Sequence, residues 1–100
     1  MKSKLLNRIA DRKFEKLGFV KVKESDLLVS YQRPVDVFGY VHVIELSHRK
    51  HIPNLMISYQ QETNNDFFNN CVGVSSAIMR ASLLKMFAMG FTDKNKKGCA

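Results

Sequence analysis

Apolar residues recur at Leu6, Ile9, Ala10, Phe14 and Leu17, three and four apart, with Lys4, Arg8, Asp11, Arg12 and Glu15 between them. That spacing follows the 3.6-residue turn and predicts an amphipathic helix, opened by Ser3 as its N-cap. Gly18 closes it, because a residue without a Cβ enters the left-handed region without a clash, and Phe19 is left to fold over the last turn. The period then changes to two. Val20 and Val22 alternate with Lys21 and Lys23, Glu24 to Asp26 makes a turn, and Leu27, Val29 and Tyr31 alternate with Ser30 and Gln32. This predicts a β-hairpin that stops at Pro34. YVHVIELS (40–47), rich in β-branched residues, and LMISYQ (55–60) predict a third and a fourth strand, parted by the polar, proline-ended HRKHIP. QETNNDFFNNC (61–71) carries no periodicity and is read as a surface loop.

A second helix is expected from about Ser75 to Met89, with Val74, Ala77, Ile78, Ala81, Leu84 and Ala88 as its core stripe. Gly90 and Phe91 end it by the device used at Gly18 and Phe19. The order helix, four strands, helix implies an α+β fold (αββββα), a two-layer sandwich with both helices on one face of a mostly antiparallel sheet. Residues 1–93 form one domain on this reading, and 94–100 a charged tail.

The second helix is apolar nearly all round, and only Ser75, Ser76, Arg80, Ser82 and Lys85 are polar in it. Such a helix is normally buried on both sides, yet in two layers one side meets water. Met79, Leu83, Met86, Phe87 and Met89 fall outside the expected core stripe and are therefore the candidate protein interface, with methionine suited to irregular partners. A homodimer, or a complex with another protein, is the expected state. Met86→Glu is expected to break it and spare the fold.

Charge adds a rival surface. The chain of 100 residues carries a net +7, and eight of its sixteen basic residues lie in the first 23, so the excess is concentrated on the first helix and hairpin. Lys4, Arg8, Arg12, Lys21 and Lys23 are the candidate nucleic-acid contacts, with Lys21 and Lys23 expected opposite the helices or along a sheet edge. No RNP-like run or helix-turn-helix signature accompanies them, and edge lysines that block sheet aggregation look the same. Two cysteines, Cys71 and Cys99, fit a reducing cytoplasm better than a disulfide framework. No run approaches the length of a membrane span, and the charged amino-terminal segment does not read as a signal peptide.

Catalytic chemistry finds little to use. His48 and His51 form a close pair with His42 upstream and Glu45 between, but an extended 40–47 segment sends His42 and Glu45 to opposite faces. Zinc needs three or four converging ligands. Cys71 beside a histidine would make a nucleophile and base, but its place before an apolar helix favours an inert thiol. The reading is a protein with no catalytic residue, metal, cofactor or small-molecule substrate.

The helix endings carry a further signal. Ala10-Asp11, Phe14-Glu15 and Leu17-Gly18-Phe19 at the front, with Gly90-Phe91 at the back, resemble short proteins encoded by phages and prophages of Gram-positive bacteria. Those proteins open with an ADxxFEELGY-like helix end and finish with an LGW- or LGF-like one, with four strands between. This chain is basic where they are often acidic, and Met89 stands where leucine is usual. The family has no assigned function, so the resemblance implies a small accessory protein of a bacterial host cell and supplies no active site.

Overall fold

A computed structural model describes residues 3–35, 39–62 and 68–91. The expected end of the domain at 93 and the tail at 94–100 lie outside the described residues. The elements run α1 (Lys4–Lys16), β1 (Val20–Glu24), β2 (Leu28–Pro34), β3 (Tyr40–Ser47), β4 (Leu55–Glu62), β5 (Phe68–Cys71) and α2 (Ser76–Met89). The helix, four antiparallel strands and closing helix are as the periodicities imply. The fifth strand replaces part of the expected loop: β4 extends to Glu62, and 68–71 pair back onto it.

Both helices end in the same hydrogen-bonded turn. Gly18 (φ 92°) donates to Glu15 and Phe19 to Phe14, each at 3.0 Å. Gly90 (φ 83°) donates to Phe87 at 3.1 Å and Phe91 to Met86 at 2.8 Å. This is the Schellman pattern, in which a left-handed glycine lets the next amide reach back five residues and satisfies carbonyls the helix leaves open. The returning aromatic meets the residue it bonds to. Phe19 lies edge-on to Phe14 at 5.7 Å, and Phe91 joins Met86 in the core. The starts match too: the hydroxyls of Ser3 and Ser75 accept from the amides three residues on, at 3.2 Å each.

The sheet is a meander in chain order, antiparallel throughout. Residues paired across antiparallel strands share a face, so the registers assign the sides. Val29 opposite Leu46, Tyr31 opposite Ile44 and Met56 opposite Leu46 lie beneath the helices. Phe14 stacks on Tyr31 with ring centres 3.8 Å apart, which seats α1 on β2. The Ser3 amide donates to the Ala88 carbonyl at 2.9 Å, so the start of α1 meets the end of α2 and the helices run antiparallel. Ala77, Ala81, Leu84 and Ala88 recur on one flank of α2. That small-residue flank lets the neighbouring helix approach closely.

Two expectations about side-chain direction are corrected. Val20 and Val22 are exposed rather than inward, and Leu27 is exposed as well. The register shifts between Lys21 and Lys23, so Lys21 pairs with Tyr31 and Lys23 with Ser30, neighbours on opposite faces. A bulge of one residue inverts the alternation, and Lys21 turns toward the helices while Lys23 faces away. In α2 the buried arc contains Ile78, Ala81 and Ala88 of the expected stripe, but also Ser82, Lys85, Met86 and Met89. Met86 and Met89 are each 4% exposed, so neither lies on the outer face where the interface is expected. The cap is the reason: the residue that accepts from Phe91 must face the core that Phe91 enters.

Candidate functional site

What remains of the interface candidates is a stripe four residues apart. Met79, Leu83 and Phe87 are 39%, 52% and 60% exposed along the outer side of α2. They are accompanied on α1 by Leu5 and Ile9, both exposed. Lys13, Lys16 and Leu17 of α1 share a shallow cleft with Ala77 and Arg80 of α2, which fixes the flanks that meet at the surface. By helical spacing the line of this cleft leads along Ile9 and Leu5 on the α1 wall and Leu84 and Phe87 on the α2 wall, from a basic end at Lys13, Lys16 and Arg80 to an apolar one.

Beneath this stripe α2 carries the opposite chemistry. Ser82 is fully buried and returns its hydroxyl to the Ile78 carbonyl at 2.8 Å. Lys85 is also fully buried, its Nζ 3.0 Å from Asp11 Oδ1 and 3.1 Å from Glu24 Oε1. Lys21 approaches the same carboxylates, 3.0 Å from Asp11 and 2.7 Å from Glu24, and the Tyr31 hydroxyl donates to Asp11 at 2.6 Å. Two carboxylates and two ammonium groups thus join α1, β1 and α2. Burial pushes Asp11 and Glu24 up, but the hydrogen bonds from Tyr31, Lys21 and Lys85 to Asp11, and from Lys21 and Lys85 to Glu24, outweigh it. Both carboxyls are held below the usual range. Burial and the bond to Asp11 push the Tyr31 phenol far above its ordinary range, so it remains a donor. The cluster is satisfied internally and offers no free base.

The nucleic-acid candidates do not form one surface. Lys4, Arg8 and Arg12 are exposed and make a row along α1 at four-residue intervals. Lys21 is engaged by Asp11 and Glu24, and Lys23 lies on the other side of the sheet. The histidines are dispersed as well. His42 is buried against the Phe19 ring, 5.4 Å away, with Nε2 2.7 Å from Ser58 Oγ. His48 has Nδ1 2.7 Å from the Pro53 carbonyl and its ring 5.5 Å from that of Phe91, while His51 is exposed. Six residues of extended chain part His42 from His48, about 20 Å. Among the described residues no group of three His, Cys, Asp or Glu side chains is placed to hold a metal ion.

One feature was not anticipated from the sequence. Arg33, His42 and Gln60 are cross-strand partners in a single row of β2, β3 and β4, and all three line a cleft of about 540 Å³ beyond the end of α1. Burial, and then the nearby Arg33 charge, push the His42 imidazole down from its ordinary value, so the ring is neutral at pH 7. No helix among the described residues is long and apolar enough to cross a membrane. Compared with protein-family models, with curated proteins and with solved structures, the chain matches none.

Proposed function

We propose that this is a small non-catalytic accessory protein, of the phage and prophage kind its helix endings resemble, that works by binding another protein in the cytoplasm of a bacterial host. The observation that carries the reading is the inversion of α2: Ser82 and Lys85 are sealed inside while Met79, Leu83 and Phe87 face out. Burying Phe87 and Leu83 against a partner removes apolar surface from water, worth about 25 cal/mol per Å² before the costs of association.

Charge narrows the partner. Lys4, Arg8, Arg12, Lys13, Lys16 and Arg80 are all exposed on the helical layer, where Glu15 is the exposed acid among described residues. A second copy docked face to face would oppose these cations with its own. A host or phage protein with an apolar ridge edged by carboxylates is the better fit. Captured host proteins identified with the wild type, then rebuilt from purified components, should fail to bind Leu83→Glu/Phe87→Glu while binding Lys23→Glu normally. If the double variant keeps every wild-type partner, or if sedimentation shows a dimer that the same changes dissolve, the hetero-partner reading is lost.

The row Lys4, Arg8 and Arg12 favours a second reading, contact with nucleic acid along α1. It predicts an affinity for single-stranded DNA that falls steeply with salt as counterions are released, and that Arg8→Ala/Arg12→Ala abolishes. Absence of binding at low salt ends it.

A further inference from the structure

The row Arg33, His42 and Gln60 is a built polar site in the layer that elsewhere forms the core. The neighbouring rows under the helices are Tyr31, Ile44 and Ser58, then Val29, Leu46 and Met56, which are largely apolar and covered. The next row lies past Gly18, where α1 has ended: Phe19 covers most of His42, and the row opens to the cleft chiefly at Arg33 and Gln60.

Two of the three side chains are held in place. The Arg33 guanidinium lies 4.6 Å over the Phe19 ring and donates from Nη1 to the Leu17 carbonyl at 2.9 Å, which holds its plane and leaves other N–H groups of the fork to use. His42 is oriented by Ser58 through Nε2, and its Nδ1 has no hydrogen bond among the described residues. Gln60 stands on the next strand, one strand spacing away. Among the described residues that line the cleft none is a carboxylate, and Leu17, Pro34 and Val72 give it an apolar rim. A guanidinium stacked on an aromatic, with neighbouring neutral side chains that can donate, suits a planar or tetrahedral oxyanion, because the fork offers parallel N–H bonds to two oxygens.

We propose that this cleft binds an oxyanion, a carboxylate or a phosphate, borne on an apolar body that rests on Leu17, Pro34 and Val72. The site is independent of the outer helical face, so either assignment stands without the other. The closing experiment is an NMR titration of the full chain with benzoate, phenyl phosphate and the neutral benzamide. Both probes are anions, phenyl phosphate close to dianionic at pH 7 and benzoate monoanionic, and together they separate carboxylate from phosphate as the group preferred.

The amides of Arg33 and Gln60 and the His42 ring should shift together with either anion, and benzamide should bind about tenfold more weakly or worse, the worth of a charge-assisted hydrogen bond. Arg33→Gln should cost a similar factor. Arg33→Lys, which keeps the charge and much of the stem, should recover less than half of the loss, since an ammonium offers no fork. Leu83→Glu/Phe87→Glu should leave the titration unchanged. Equal binding of benzoate and benzamide, or no shift at these residues with any of the three in the wild type, overturns the assignment and leaves Arg33 as a cap on the α1 carbonyls.

Discussion

α1 and α2 begin with the same serine cap and end with the same glycine and phenylalanine, but they sort their side chains in opposite ways. α1 buries Ala10 and Phe14 and gives water its charges. α2 buries a lysine and a serine and gives water a methionine, a leucine and a phenylalanine. The shared ending fixes the phase of each helix, because the residue reached by the returning amide must lie over the core. Carried forward by the 72-position offset between the two glycines, Phe14 becomes Met86, Ala10 becomes Ser82, Leu17 becomes Met89 and Leu6 becomes Ile78. All four lie inside in α2. The cap, not the count of greasy residues, decides which side is the core.

The sharpest way to break this equivalence is to attack the two matched positions. Phe14→Ala should cost about 4 kcal/mol and Met86→Ala about 3 kcal/mol, as cavities at fully packed sites do. Met86→Glu should prevent folding at ordinary temperatures, because a carboxylate would enter the apolar cluster that holds Phe14, Phe19, Ile78 and Phe91. Chemical denaturation measures the first pair. A folded, stable Met86→Glu protein would place Met86 at the surface and undo the equivalence.

Lys85 supplies the next test, since it occupies the place of Lys13, which in α1 is exposed. Asp11→Asn leaves the buried ammonium with Glu24 alone and should cost about 3 kcal/mol. Lys85→Met should cost less than about 1 kcal/mol, since the carboxylates keep Lys21 and some solvent. The acid limb follows from the same cluster. Asp11 and Glu24 are depressed in the fold, so their contribution is complete above the ordinary carboxylate range and lost as pH falls through their lowered values. His42, also depressed, begins to subtract earlier, as pH falls through its ordinary 6.5 and the unfolded chain takes up the proton first. Stability should thus rise with pH in both windows, and Lys85→Met should flatten the lower one.

The two glycines sharpen the comparison with a smaller effect. Alanine at Gly18 or Gly90 must hold a positive φ, at about 1 kcal/mol each. At Gly18 the added carbon meets nothing nearer than Arg33 Cδ at 3.9 Å, so strain in the backbone is the whole cost there. Thermal melts of the two single variants should agree closely, and a silent Gly90→Ala would mean that α2 ends otherwise.

Much of this was readable beforehand, and the exceptions share a cause. α1, the glycine stops and four strands are stated by local periodicity. Met86 was also legible, because the MFAMGF ending carries its own instruction about phase. Lys85 was not: its carboxylates lie on α1 and β1, far away in sequence, and no local pattern marks a lysine as buried. The bulge between Lys21 and Lys23 leaves no mark either, and strict alternation puts the two lysines on one face. Of the two expectations for them only the sheet edge holds, since β1 is an edge strand. β5 is amide-rich and held by backbone pairing with β4, a bond that any sequence can offer. The row Arg33, His42 and Gln60 depends on the registers of two strand pairs, which only the folded sheet discloses.

The smallest expected change in stability falls on the stripe itself. Leu83→Glu and Phe87→Glu, singly or together, should shift the unfolding free energy by no more than about 0.5 kcal/mol each, because both side chains are already mostly in water. The matched positions on α1 are Asp11 and Glu15, already acidic in sequence, so a glutamate at 83 or 87 makes α2 more like its partner helix. If α2 is apolar outside only because the fold needs it so, these variants should melt early, and the comparison of the two helices would be wrong about which face is free. If they melt with the wild type and lose the partner, the outer face of α2 is kept apolar for binding. Leu5→Glu, across the groove on α1, should then weaken the same complex, since its wall faces the one that Phe87 lines.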